Sequence, residues 1–176
     1  MARPQPPAAE EAPRSRAPAQ VLLTLEEALK LAFPGCDIEK RTVFLTREQM
    51  ERAGELAGEE IPSAIAYAYV ARKDGKLAGT AYFDAHRVRT LRETLMVVVD
   101  PAQRVRRVEL CAFAEPKEYA PRAPWYAQFT GRVLDDELNL KRGIRGIAGA
   151  TLSARAATSA VRRLLAVHQV LEKGNL

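Results

Sequence analysis

The sequence predicts an α+β domain: an antiparallel sheet of about four or more strands, with N-terminal helices and a long C-terminal helix packed on it. Three observations predict it. Two capping boxes near the N-terminus open short amphipathic runs, an Asp-Gly pair separates two strand-like stretches, and the chain ends on one long helical stripe.

Taken in order, Thr24 opens a T-x-x-E box with Glu27, and Leu25, Ala28, Leu29, Ala32 and Phe33 recur at helical spacing before Pro34-Gly35 stops the helix. Thr46 opens a T-x-x-Q box with Gln49, predicting a helix to about Ala57 that Gly58 ends. A strand over Ala64–Val70 meets Asp74-Gly75, a two-residue hairpin signal, and returns over Lys76–Phe83. Thr94–Val99 is a third strand, ended by Asp100-Pro101. Arg104–Phe113 is a fourth, with Val108, Leu110 and Ala112 alternating against Arg107, Glu109 and Cys111. Prolines make "EPKEYAPRAP" a loop. "WYAQFTG" reads as a short helix closed by Gly131, and "LDDELNL" as another, with Asp135, Asp136 and Glu137 in its first turn. The last helix spans about Ser153–Lys173 with Gly174 as its C-cap, its stripe being Ala154, Ala157, Val161, Leu164, Leu165, His168 and Leu171.

The chain has 176 residues and 47% hydrophobic content, which suits one ordinary core. Residues 21–176 read as that domain. Residues 1–20, rich in Pro and Ala, read as a disordered tail or tether. No apolar run of about 18 residues is present to span a membrane, and no apolar segment of a secretory signal follows Met1. Cys36 and Cys111 are no disulfide framework and no zinc-type pair. They read as free buried thiols, the alternative being one bridge between them.

The net charge of +5 is uneven. From Lys141 onward come Lys141, Arg142, Arg145, Arg155, Arg162, Arg163 and Lys173, against the single acid Glu172. This suits an anionic partner, or simply a solvated helix face. The arginines are not interleaved with exposed aromatics and no nucleic-acid-binding motif accompanies them, so nucleic acid is not an expected partner. There is no dinucleotide fingerprint, no P-loop and no His/Cys metal cluster. No nucleophile–histidine arrangement can be read from the spacing. His168, on the apolar stripe, reads as a satisfied core residue. His86, in "FDAHRVRT", reads as an edge or loop residue, or as a contact to a cofactor or substrate.

The informative stretch is "IRGIAGATLSARAATSAV", residues 144–161. A helix N-terminus offers unpaired N–H groups and partial positive charge, and a glycine lets a ligand approach the backbone. Gly149, Ala150, Thr151, Leu152 and Ser153 therefore suit a phosphate site, with Arg145 and Arg155 to supply charge-assisted bonds. They equally suit a capped helix with tight Gly-Ala packing.

The stretch "WYAQFTGR…IRGIAGATLSARAATSAVRRLL", from Trp125 to Leu165, resembles the FMN-binding domain family. That family includes flavin-carrying subunits of the bacterial Rnf and Na+-pumping NADH:quinone oxidoreductase complexes and other extracytoplasmic electron-transfer domains. Its signature is similar to Asp-x-x-Ser/Thr-Gly-Ala-Thr followed by a helix. Here Arg145 stands at the aspartate and Ala148 at the Ser/Thr. Upstream, "ETLMVVVDPAQRVRRVELCAFAEP" is similar to the family's paired strands and Glu-containing loop, which extends the likeness to about residues 64–171.

What the resemblance implies is FMN. Its phosphate would lie at the helix start, joined to Thr151 by a flavin transferase or held without a bond, with Glu115 near the flavin. Tyr82, Trp125, Tyr126 and Leu152 are candidate walls for its ring. The function implied is electron transfer, extracytoplasmic, with redox proteins as partners, some of them membrane-bound. No residue reads as a general base for a substrate. The competing readings are a flavin-free binding module, whose basic final third holds an acidic protein or other anion, and a flavoenzyme acting on a quinone or metal ion.

Overall fold

A computed structural model describes residues 20–172. Most of the tail read at residues 1–20, and the C-cap read at Gly174, lie outside the described residues.

The six strands form one antiparallel sheet in the order β1-β6-β5-β4-β3-β2: Gln20–Val21 (β1), Asp37–Phe44 (β2), Ile65–Lys73 (β3), Lys76–Arg87 (β4), Arg92–Val99 (β5) and Val105–Phe113 (β6). Both capping boxes are formed. The Glu27 N–H donates to Thr24 Oγ1 (3.2 Å) while the Thr24 N–H donates to the Glu27 carboxylate (2.8 Å), opening α1 (Leu25–Ala32). Thr46 and Gln49 do the same for α2 (Arg47–Ala57), and Gly58 closes that helix in the left-handed conformation. Asp74 and Gly75 both take positive φ, as a two-residue hairpin turn requires.

Two strands are absent from the sequence reading: the two-residue β1, whose Gln20 falls in the stretch read as a tail, and β2. In β2, charges at Asp37, Glu39, Lys40 and Arg41 hide any apolar face, and they suit a strand at the open edge of a sheet. It pairs along its length with β3, from Asp37↔Arg72 to Phe44↔Ile65. β3 and β4, by contrast, pair only from the hairpin as far as Tyr69↔Ala81. Beyond that point Ile65–Ala68 pairs with β2 and Tyr82–Arg87 with β5.

Helices cover both faces. On one, Ala28, Leu29 and Ala32 of α1 and its capping residue Phe33 pack on Tyr69, Ala71, Ala81, Met96 and Val98. On the other, α2 and the long α4 (Thr151–Glu172) pack on Val70, Tyr82, Leu95, Val97 and Val99. This is why "LMVVV" in β5 is an unbroken apolar run: successive side chains point to opposite faces, and both are buried. Gly79 lies at a bulge in β4, where a Cβ would sit 2.7 Å from the Val99 carbonyl, so β4 and β5 meet there only because the residue has no side chain.

"WYAQFTG" forms α3 (Ala123–Tyr126) and a 3-10 turn over Ala127–Phe129. The second short helix read at "LDDELNL" is not one; the segment is a turn. Asp135 Oδ1 accepts from the N–H groups of Glu137 (3.0 Å) and Leu138 (3.1 Å), a side-chain bond that competes with helical pairing. Leu138 is thereby turned into the core. Both cysteines are free, and burial pushes the Cys111 thiol up to about 11. Among the described residues, no helix is long and apolar enough to cross a membrane.

Candidate functional site

The start of α4 is set by Gly149 at φ +79°, where the chain turns sharply enough to begin a helix at Thr151. The first helical hydrogen bond runs from the Ala154 N–H to the Ala150 carbonyl (3.0 Å). The N–H groups of Thr151, Leu152 and Ser153 precede it and point out of the helix end. A Cβ on Gly149 would meet nothing within 4 Å, so the approach to this backbone is open. Thr151 is exposed and Ser153 buried.

A cavity of about 170 Å³ opens there, lined by Gly149–Ser153, by Val88 and Arg89 of the β4–β5 loop, and by Glu115 and Tyr119 after β6. Residues read separately from the sequence, Glu115 and the helix start, thus meet across one space. Glu115 Oε1 accepts N–H bonds from Arg89 (3.3 Å), Thr90 (3.0 Å) and Leu91 (2.9 Å), which ties the β4–β5 loop to the segment that follows β6. Burial raises the Glu115 pKa, but those N–H groups outweigh it and hold the carboxyl below its ordinary value. The Arg89 guanidinium lies 5.3 Å from the centre of the Tyr119 ring, a cation–π contact.

Thr151 also borders a second cavity, of about 570 Å³, with Arg155, Lys141 and Thr158 in its lining and, among the described residues, no acidic one. Arg162 lines it too, but that guanidinium is spent on the carbonyls of Leu56, Ala57, Asp135 and Leu138. Arg145 lines neither cavity. Its N–H donates to Gln128 Oε1 (2.9 Å) and its carbonyl accepts from the Trp125 indole (2.7 Å), so its backbone braces α3 against the segment leading to α4.

His86 belongs to a different structure. Its Nδ1 lies 3.0 Å from Asp84 and its Nε2 3.5 Å from the fully buried Glu93. Arg163 of α4 closes the chain, at 3.0 Å from Asp84 and 2.9 Å from Glu59. Five alternating charges therefore run under the middle of α4, from the half-buried Glu59 to Glu93. Burial alone would lower the His86 pKa, but Asp84 and Glu93 overcome it and raise it to about 9. Burial also raises Asp84, and His86 with Arg163 pulls it below its ordinary value. The 3.5 Å contact between His86 and Glu93 is an ion pair too long for a good hydrogen bond. Both Glu93 oxygens and the Tyr126 hydroxyl are buried without a hydrogen-bond partner among the described residues.

Of the four candidate ring walls, only Leu152 lines the cavity at the helix start. The Tyr82 hydroxyl lies 2.9 Å from His168 Nδ1 in the core, and burial lowers the His168 pKa to about 4. Trp125 packs edge-on against Tyr126 and Phe129. The aromatic residue the structure does bring to the site is Tyr119. Arg89 and Tyr119 carry no sequence signal, because they arrive through long-range folding of loops, whereas Lys141 belongs to the basic final third. Among the described residues, no group of His, Cys, Asp and Glu is placed to hold a metal ion. No protein-family model, curated protein or solved structure matches the chain.

Proposed function

We propose that the chain is an FMN-binding electron-transfer domain whose start of α4 seats the flavin phosphate. The observation that carries the reading is the open helix end: three outward N–H groups behind an unhindered positive-φ glycine, facing a cavity shared with Glu115. The donor set fits a phosphate. The N–H groups of Thr151–Ser153 would bind its oxygens, and Arg155 and Lys141 supply positive charge on the other side of Thr151. Glu115 acts through the loop it ties, holding Arg89 and Tyr119 in place, since its Oε1 is committed to backbone donors. The 170 Å³ cavity is below the roughly 300–1,000 Å³ of a pocket that buries a drug-sized ligand, so of FMN it suits the phosphate end, while Leu152 and Tyr119 offer apolar surface beside it. FMN, when bound, supplies one- and two-electron transfer. The chain's own contribution is to fix the phosphate and to present Thr151, whose exposed hydroxyl is available for a phosphoester link. This reading goes with extracytoplasmic redox partners, membrane-bound ones among them.

The test is to produce the protein with and without a flavin transferase, then measure its visible absorbance and intact mass. Flavin absorbance after addition of FMN supports the seat. An added FMN mass on Thr151, absent in Thr151→Ala, supports the covalent form. Folded protein that stays colourless with FMN in excess overturns the reading.

One observation favours a second reading, a flavin-free module for an anionic partner. The 570 Å³ cavity presents Lys141 and Arg155 with, among the described residues, no acidic one in its lining. Binding of an acidic protein that is unaffected by FMN would support that alternative.

A further inference from the structure

The sheet forks. β3 and β4 stay paired from their hairpin to Tyr69↔Ala81 and then part, each keeping its other neighbour. A cavity of about 200 Å³ fills the fork. Its walls include Ala66 and Tyr67 of β3, Tyr82 and Phe83 of β4, and Leu164 and Val167 of α4. Arg163 lies about 18 Å along α4 from Thr151, at 1.5 Å per residue, so this space is separate from the helix start.

Three features define what it accepts. First, the facing edges of Ile65–Ala68 and Phe83–Ala85 present backbone N–H and C=O groups that, among the described residues, have no ladder partner across the gap, and such groups require a substitute when covered. A strand edge alternates donors and acceptors, so the complementary edge alternates them as well. Second, the walls are aromatic and aliphatic, which favours a flat apolar body. Third, the charged side chains in the lining, Asp84 and Arg163, are paired with one another at 3.0 Å and further with His86 and Glu59, so neither is left over to answer a charged ligand. Ile65 and Tyr67 stay exposed beside the opening.

The geometry points to this fork as a binding site for a neutral, planar nitrogen heterocycle of one or two rings carrying an amide or imide edge. The edge takes the place of the missing strand partner, and the rings lie against Tyr82, Leu164 and Val167.

The probe is quinazoline-2,4-dione, titrated into 15N-labelled protein, with its 1,3-dimethyl derivative as the control that lacks N–H donors. The expected result is saturable movement of the amide resonances of Ile65–Ala68 and Tyr82–Ala85, with the dimethyl compound about tenfold weaker. Ala66→Phe, which fills the slot, should abolish the response while leaving resonances remote from it in place. If that variant does not fold, the two compounds on the wild-type protein decide alone. The inference is overturned if the dione moves only resonances elsewhere, such as Gly149–Ser153, if it moves none, or if the dimethyl compound binds equally well.

Discussion

The two halves of α4 use arginine in opposite ways. At its middle, the half-buried Arg163 lies between Asp84 and Glu59, and Asp84 in turn meets His86, so charge is consumed within the fold. At its start, Arg155 lines an open cavity with no acidic residue among the described ones, and the helix itself offers unpaired donors. A buried charge must be answered by its own chain, whereas an open one is free to be answered by a ligand. The comparison separates residues that hold the domain together from those able to serve a function, although both sit on one helix only a few turns apart.

The largest expected effect breaks the buried half. Arg163→Ala removes the guanidinium that Asp84 and Glu59 share, leaving Asp84 with His86 alone, and should cost about 3 kcal/mol in urea unfolding, the low end for breaking a buried pair. Arg155→Ala, at the open half, should stay within about 0.5 kcal/mol. Equal losses would erase the distinction.

The two histidines sharpen it through pH. His86 has a folded pKa raised to about 9 from 6.5, so its stabilisation is complete below about pH 6.5 and is lost as pH rises through about 9. His168 has a folded pKa lowered to about 4, so the unfolded chain binds the extra proton and stability falls as pH drops from about 6.5 towards 4. Denaturant midpoints across this range should fall on both sides of neutrality. His86→Gln should flatten the alkaline limb and leave the acid limb attributed to His168.

A smaller effect is expected at the hinge of the open half. Gly149→Ala places a side chain at φ +79° in open space, so it should cost about 1–2 kcal/mol from backbone strain alone, measured by thermal unfolding. The smallest is Thr151→Ala, within about 0.5 kcal/mol, since the hydroxyl is exposed; any large change should appear in flavin attachment instead.

Local signals were the legible ones. Thr24, Thr46, Asp74-Gly75 and the α4 stripe each act over a few residues, and the structure has the corresponding caps, turn and packed face. β2 was not legible, because an edge strand with charges on both faces lacks alternation, and its pairing with β3 is a tertiary event. "LDDELNL" misled because Asp135 uses its side chain on nearby N–H groups. At the candidate site, the Gly149–Ser153 helix start was readable as a donor cluster. Its neighbours Arg89 and Tyr119 were not, since Glu115 holds the Arg89 loop through bonds spanning 24 to 26 positions and Tyr119 meets it through a ring contact with Arg89. The ion chain ending on Glu93 was hidden for the same reason: its members come from α2's end, β4, β5 and α4.

The central claim, a phosphate seat at the start of α4, is tested most directly by comparing FMN with riboflavin in calorimetric titrations of the same folded protein. The account predicts that FMN binds, that riboflavin, lacking the phosphate, binds at least about tenfold more weakly, and that Arg155→Ala narrows the gap. Indistinguishable affinities for the two compounds, or no binding of FMN, would contradict it.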